Sequence, residues 1–198
     1  MRGVIAVLVV AFITGCGAAQ TKQLASNGIT LVVPSSWRVV DARSTLSREE
    51  RELEKQNPTF GELLRRLEQP SNPVKLLALA SAGRRFASTS MNLFVLRARP
   101  GESLDRYVRE VVREWSAVPG FRNLTRRNTH ISGNPAVELR YVLPYSFRGA
   151  TVNLDTVQLL FLYREREVAV TFAADARAYP HYKEQFEASL RSIRTSKY

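Results

Sequence analysis

Apolar side chains recur along this chain with two different periods, and the switch between them marks out its elements. Leu104, Tyr107, Val108, Val111, Val112 and Trp115 fall at i, i+3, i+4, i+7, i+8 and i+11, while Arg106, Arg109, Glu110, Arg113 and Glu114 take the opposite face. That spacing predicts an amphipathic helix lying on a sheet with all six apolar residues turned inward. Ser103 offers an N-cap, Asp105 suits the positive end of the helix dipole, and Pro119-Gly120 stops the helix. Tyr182, Phe186, Leu190 and Ile193 repeat the stripe at i, i+4, i+8 and i+11 in a closing helix that admits Pro180 in its first turn. Phe60, Leu63, Leu64 and Leu67 do the same over a shorter stretch opened by Thr59-Phe60-Gly61-Glu62. Ser47-Arg48-Glu49-Glu50 fits a capping box for another helix, highly charged, that runs to about Gln56.

Elsewhere the period falls to two or the apolar run is continuous. Val137, Leu139, Tyr141 and Leu143 alternate with Glu138, Arg140 and Val142, the pattern of a half-buried strand. Ile29–Val33, Trp37–Val40, Val74–Ala80, Ser90–Leu96, Leu124–Ile131, Leu154–Tyr163 and Val168–Ala173 also read as strands. Pro34-Ser35-Ser36 turns the first of these into a hairpin with the second, Ser132-Gly133-Asn134-Pro135 makes another turn, Pro144 to Ala150 a longer loop, and Arg164 to Glu167 a tight charged turn. The order is hairpin, helices, two strands, long helix, a run of strands and a closing helix. It predicts an α+β fold, an α/β/α sandwich with a largely antiparallel central sheet and flanking helices.

The N-terminus follows neither period. Met1-Arg2-Gly3 carries one positive charge and Val4 to Ile13 is uncharged and apolar, a run too short for a bilayer core that needs about 20 residues. With Gly15-Cys16 as a small-residue cleavage site, this is the layout of a secretory signal. Ile13-Thr14-Gly15-Cys16 resembles the lipobox of bacterial lipoproteins. That resemblance implies cleavage after residue 15 and a diacylglycerol thioether on Cys16, the only cysteine of the chain. Residues 16–27, small and polar from Gly17 onward, are expected to be a flexible tether, and residues 28–195 one globular domain. The expected location is the extracytoplasmic face of a cell membrane.

The chain has 198 residues and a formal charge of +11, from 29 Lys and Arg against 18 Asp and Glu. Export makes nucleic acid an unexpected partner. Anionic envelope lipid, or a protein in the envelope, suits a basic domain held at a membrane. Arg84, Arg85, Arg97, Arg99, Arg126, Arg127 and Arg140 lie in or beside the proposed strands and are candidates for one patch that binds phosphate or carboxylate groups bidentately. Glu102, Glu138, Glu165 and Glu167 are placed to balance that basic face.

Catalytic patterns are missing. There is no Gly-x-Ser-x-Gly elbow, Ser-x-x-Lys pair, phosphate loop or dinucleotide fingerprint. His130 and His181 are the only histidines, and Asp175 with His181 would supply two metal ligands without a third. A non-enzymatic protein with no metal or cofactor is expected. A hydrolase would need a pocket that joins His130 or His181 to a Ser, Asp or Glu.

The sequence also resembles a known family over nearly all of the mature chain. Gly28-Ile29-Thr30-Leu31-Val32-Val33-Pro34 followed by Trp37, Gly101-Glu102-Ser103-Leu104 opening the long helix, Ile131-Ser132-Gly133-Asn134-Pro135-Ala136 and the closing Phe186–Ile193 segment are similar to the PsbP-like proteins. These include DcrB-type and LpqN lipoproteins. The resemblance implies a binding or accessory module, or a structural subunit of an envelope complex. No family site residue maps onto this chain. The segment from Ser44 to Gln69 is longer than the family pattern.

Overall fold

The computed structural model describes residues 20–41, 73–80, 89–147 and 150–196. The proposed signal and Cys16, the two helices expected between Ser47 and Leu67, and Arg84 and Arg85 lie outside the described residues.

Seven antiparallel strands form the central sheet, in the order β3–β4–β5–β9–β8–β7–β6. They are β3 (Arg38–Asp41), β4 (Val74–Leu79), β5 (Thr89–Arg97), β6 (Arg122–Ile131), β7 (Asn134–Phe147), β8 (Ala150–Leu162) and β9 (Arg166–Asp175). A second sheet of three strands, β1 (Thr21–Ser26), β2 (Ile29–Pro34) and β10 (Arg194–Thr195), has β2 at its centre. Among the described residues the helices are α1 (Leu104–Ser116) and α2 (Tyr179–Ser192). The expected α+β sandwich is the observed architecture.

Alternation decides the two faces of the large sheet. Met91, Leu93 and Val95 of β5, Val157, Leu159 and Phe161 of β8, and Val168, Val170 and Phe172 of β9 share one buried cluster with α2 and the small sheet. Their intervening neighbours Leu160 and Ala169, with Val137, Leu139 and Tyr141 of β7, meet α1 on the other face. Within β2, Ile29, Leu31 and Val33 are fully buried and Thr30, Val32 and Pro34 are not. Phe186 of α2 sits at the centre of the first cluster, its ring 5.1 Å from Phe172, 5.9 Å from Trp37 and 5.8 Å from Tyr179. Ser192 ties α2 to β2 by accepting from the Val32 backbone N–H at 2.8 Å.

Three expectations change. Thr21–Ser26, expected within the tether, is strand β1, paired with β2 from Thr21–Pro34 to Ser26–Ile29. Only Leu24 of that strand is buried, so no hydrophobic period announced it. Its turn runs through Asn27 and Gly28 at φ 54° and 78°. A Cβ on Gly28 would stand 3.0 Å from the Tyr163 hydroxyl and 3.1 Å from Ser196 Oγ, so glycine answers both the conformation and the space. Second, β2 and β3 do not form a hairpin: Ser35 and Ser36 carry the chain from the small sheet to the edge of the large one, where β3 pairs with β4. Trp37 at the crossing is buried, as expected of a core aromatic. Third, the loop from Pro144 to Ala150 is mostly strand. Pairing of β7 with β8 continues from Ala136–Phe161 to Phe147–Ala150, and Pro144 is tolerated because β6 pairs with β7 only as far as Val142, which leaves Pro144 on a local edge.

Candidate functional site

Helix α1 begins as its sequence dictates. Ser103 is extended and its hydroxyl accepts from the Arg106 N–H at 3.3 Å. The helix does not bury its whole stripe, however. Tyr107 and Val108 are buried, whereas Leu104, Val111, Val112 and Trp115 are half-buried. The reason is the neighbour. β6 is the edge strand of the sheet, and nearly all of its side chains are exposed. The register of β6 with β7 slips between Arg122 and Thr125, with Asn123 left-handed at φ 59°. Such a bulge bends the strand. An open groove of about 570 Å³ remains between α1 and β6, within the range of small-molecule sites.

The groove has an apolar floor of Val108, Val112, Leu124 and Leu139, and a rim of Arg106, Arg109, Arg113 and Arg126 with Glu110. Three of these charges are already answered. Arg106 holds Glu102 through two contacts, of 2.8 and 3.0 Å, Arg126 reaches Asp105 at 2.9 Å, and Glu110 accepts from Arg99 at 2.8 Å. The Arg106 hydrogen bond holds the Glu102 carboxyl below the usual carboxylate range. Arg109 and Arg113, four residues apart on one helical face, are exposed, and their side chains have neither ion pair nor hydrogen bond among the described residues. Two cations thus stand unanswered over an apolar floor.

Behind the floor the chemistry is closed. The Tyr141 hydroxyl donates to Gln158 Oε1 at 3.2 Å, and Gln158 Nε2 donates to Thr171 Oγ1 at 3.2 Å. Burial pushes the Tyr107 and Tyr141 hydroxyls well above the ordinary phenol range, so both stay neutral.

The predicted arginine patch is divided. Arg126 lines the groove on the α1 side. Arg127 and Arg140 lie on the α2 side, where they clamp Glu138 at 2.5 and 2.7 Å. Arg140 also reaches Glu187 of α2 at 3.6 Å. Arg97 and Arg99 lie at and beyond the far end of β5. Glu138, one of the carboxylates expected to balance the basic face, is 6% exposed. Its burial works to raise the carboxyl pKa, but the hydrogen bonds and charges of Arg127 and Arg140 together bring it below the usual value. A carboxyl depressed on folding stabilises the fold above its unfolded pKa, and that contribution is lost as pH falls through the folded value. Between about pH 5 and pH 3 the urea midpoint is therefore expected to fall further in the wild type than in Glu138→Gln. Equal slopes would show that the clamp adds nothing.

His130 at the end of β6 and His181 in the first turn of α2 are both exposed, and neither lines the groove. Among the described residues no group of three His, Cys, Asp or Glu side chains is disposed to hold a metal ion.

No protein-family model and no curated protein matches this chain. Solved structures do. The solution structure of cyanobacterial PsbP (CyanoP) from Synechocystis superposes with a TM-score of 0.55 at 12% identity, covering 94% of this chain and 98% of that one. LpqN of Mycobacterium tuberculosis, described as involved in cell envelope biogenesis, gives a TM-score of 0.49 at 11% identity over 89% and 91% of the two chains. The fold is PsbP-like.

Proposed function

We propose that this chain is a membrane-tethered accessory protein of the extracytoplasmic envelope, without catalytic chemistry of its own, that holds an acidic amphiphile in the α1–β6 groove. The observation that carries this reading is the pair Arg109 and Arg113 standing without partners above Val108, Val112, Leu124 and Leu139. Apolar surface favours an alkyl or acyl chain at about 25 cal/mol per Å² buried. The guanidinium pair favours a phosphate or carboxylate head, which arginine can bind through two parallel hydrogen bonds. A neutral lipid would leave the cations unanswered, and a headgroup alone would leave the floor wet.

Octyl phosphate titrated into the Cys16→Ala chain tests the groove, with octyl glucoside as the neutral tail of equal length. Tighter binding of the phosphate, weakened by Arg109→Gln/Arg113→Gln, is expected. Equal binding of the two probes, or an unchanged double variant, would sink the reading.

The tether rests on the lipobox-like Ile13-Thr14-Gly15-Cys16. No helix among the described residues is long and apolar enough to cross a membrane. Strand β1 starts at Thr21, so the five residues from Cys16 to Gln20 can span at most about 18 Å and would keep the domain close to the lipid surface. In cells, Cys16→Ala is expected to move the protein from the membrane fraction to the soluble one, and mass spectrometry of the wild type to find Cys16 acylated. An unmodified, membrane-free wild-type product would refute the anchor.

A further inference from the structure

The far end of the large sheet carries a second recess, of about 490 Å³, on residues separate from the groove. Lys75, Arg97, Arg164 and Arg166 line it with Glu165 and Asn27. Three features of the backbone put those cations together. Arg97 of β5 and Arg166 of β9 are direct register partners, and like charges directly opposite in an antiparallel pair repel. Lys75 lies in the slip of register between Val74 and Leu76 where β4 meets β5, a bulge that re-aims one side chain. Arg164 and Glu165 make the two-residue turn from β8 to β9 at φ 49° and 54°, closed by reciprocal backbone bonds between Tyr163 and Arg166 of 3.0 and 3.1 Å. Turns of this kind strongly favour Asn-Gly. An arginine in a left-handed position is a conformational cost that a merely structural hairpin would avoid.

Among the described residues the three arginines of the recess have no carboxylate partner. Glu165 makes no ion pair there, and the Arg97 side chain has no ion pair or hydrogen bond among the described residues. Arg166 donates to Asn27 Oδ1 at 3.3 Å, a neutral acceptor, and the Arg164 guanidinium lies 5.1 Å from the centre of the Tyr163 ring. Three arginines without a carboxylate partner, two opposed in register and one on a left-handed turn, form an arrangement that a compact, multiply charged oxyanion would relieve.

The geometry points to an oxyanion site here that takes a phosphate group, either free or as the terminal monoester of a larger molecule. The recess lies beside the Asn27 end of β1, whereas the chain enters at Gln20, about 20 Å away along the strand. On the reading that Cys16 is the anchor, the site is held away from the entry side and open to soluble phosphate compounds.

Inorganic phosphate titrated into the full-length chain tests it, by calorimetry with thermal melting alongside. Saturable binding is expected. Arg97→Gln/Arg166→Gln is expected to weaken it at least tenfold while leaving the melting temperature unchanged or higher, because a repelling pair has been removed. Glu165→Gln is expected to tighten it, a change of opposite sign that misfolding cannot imitate. Octyl phosphate should still shift residues 108–113 in Arg97→Gln/Arg166→Gln, so the fate of this site and that of the groove are read separately. Phosphatidic acid vesicles that displace inorganic phosphate would identify a lipid headgroup as the source, and vesicles that do not would identify a soluble one. Both outcomes keep the site. Phosphate that fails to saturate, or an Arg97→Gln/Arg166→Gln protein that binds as the wild type does or melts well below it, overturns it.

Discussion

Replacing Phe186 with alanine is expected to cost about 3–5 kcal/mol of folding stability, or roughly 6–20 °C of melting temperature at the 2–4 °C per kcal/mol usual for this chain length. The side chain is 1% exposed and ringed by Trp37, Phe172, Tyr179 and Tyr182. Trp37 stands where the chain crosses between sheets, Phe172 is in the large sheet, and both tyrosines belong to α2. The resulting cavity would therefore open where three layers meet. Collapse around it is resisted from each side, because Val32 is tied to Ser192 and β10 is paired to β2. Calorimetric melting of the variant measures this, and a loss under about 1 kcal/mol would show that α2 is not packed as described.

The second large effect is on binding. Arg109→Gln/Arg113→Gln is expected to weaken octyl phosphate by about ten- to a hundredfold. A hydrogen bond to a charged group contributes about 1.5–3 kcal/mol, and solvent at the open rim reduces the sum for two such arginines to the equivalent of one or two factors of ten. Both side chains are exposed and bond to nothing among the described residues, so the fold does not depend on them. Leu124→Asp approaches the same site from its floor. Leu124 is already 37% exposed, so the fold tolerates the change, while a carboxylate there repels the phosphate and removes apolar contact. Calorimetric titration of both variants beside the wild type checks the pair. Loss in the arginine variant with none in Leu124→Asp would mean that only the head is recognised.

Much of the architecture could be read from spacing alone. The stripe from Leu104 to Trp115 and its Ser103 cap placed α1 within a residue or two, and Tyr182 to Ile193 placed α2. Those elements are long and their period is regular. β1 carries a single buried residue and is held by backbone pairing to β2, information that lies in the partner strand rather than in its own composition. The place of the candidate site was not legible. Basic residues were expected to act, yet Arg126 and Arg127 are neighbours on one strand, and a period of two sends neighbours to opposite faces. That parity could have divided the patch from sequence alone. The burial of Glu138 could not have been read so, because it depends on Arg127 coming from an adjacent strand. Nor could the groove, which exists because an edge strand with a bulge lies beside a helix that only half covers it.

The most direct measurement of the account is amide chemical-shift mapping of the Cys16→Ala chain titrated with octyl phosphate. The largest shifts are expected to run through 108–113 of α1 and 124–126 of β6, to saturate, and to vanish in Arg109→Gln/Arg113→Gln. Shifts centred elsewhere on the sandwich, or the same shifts persisting in that variant, would contradict it.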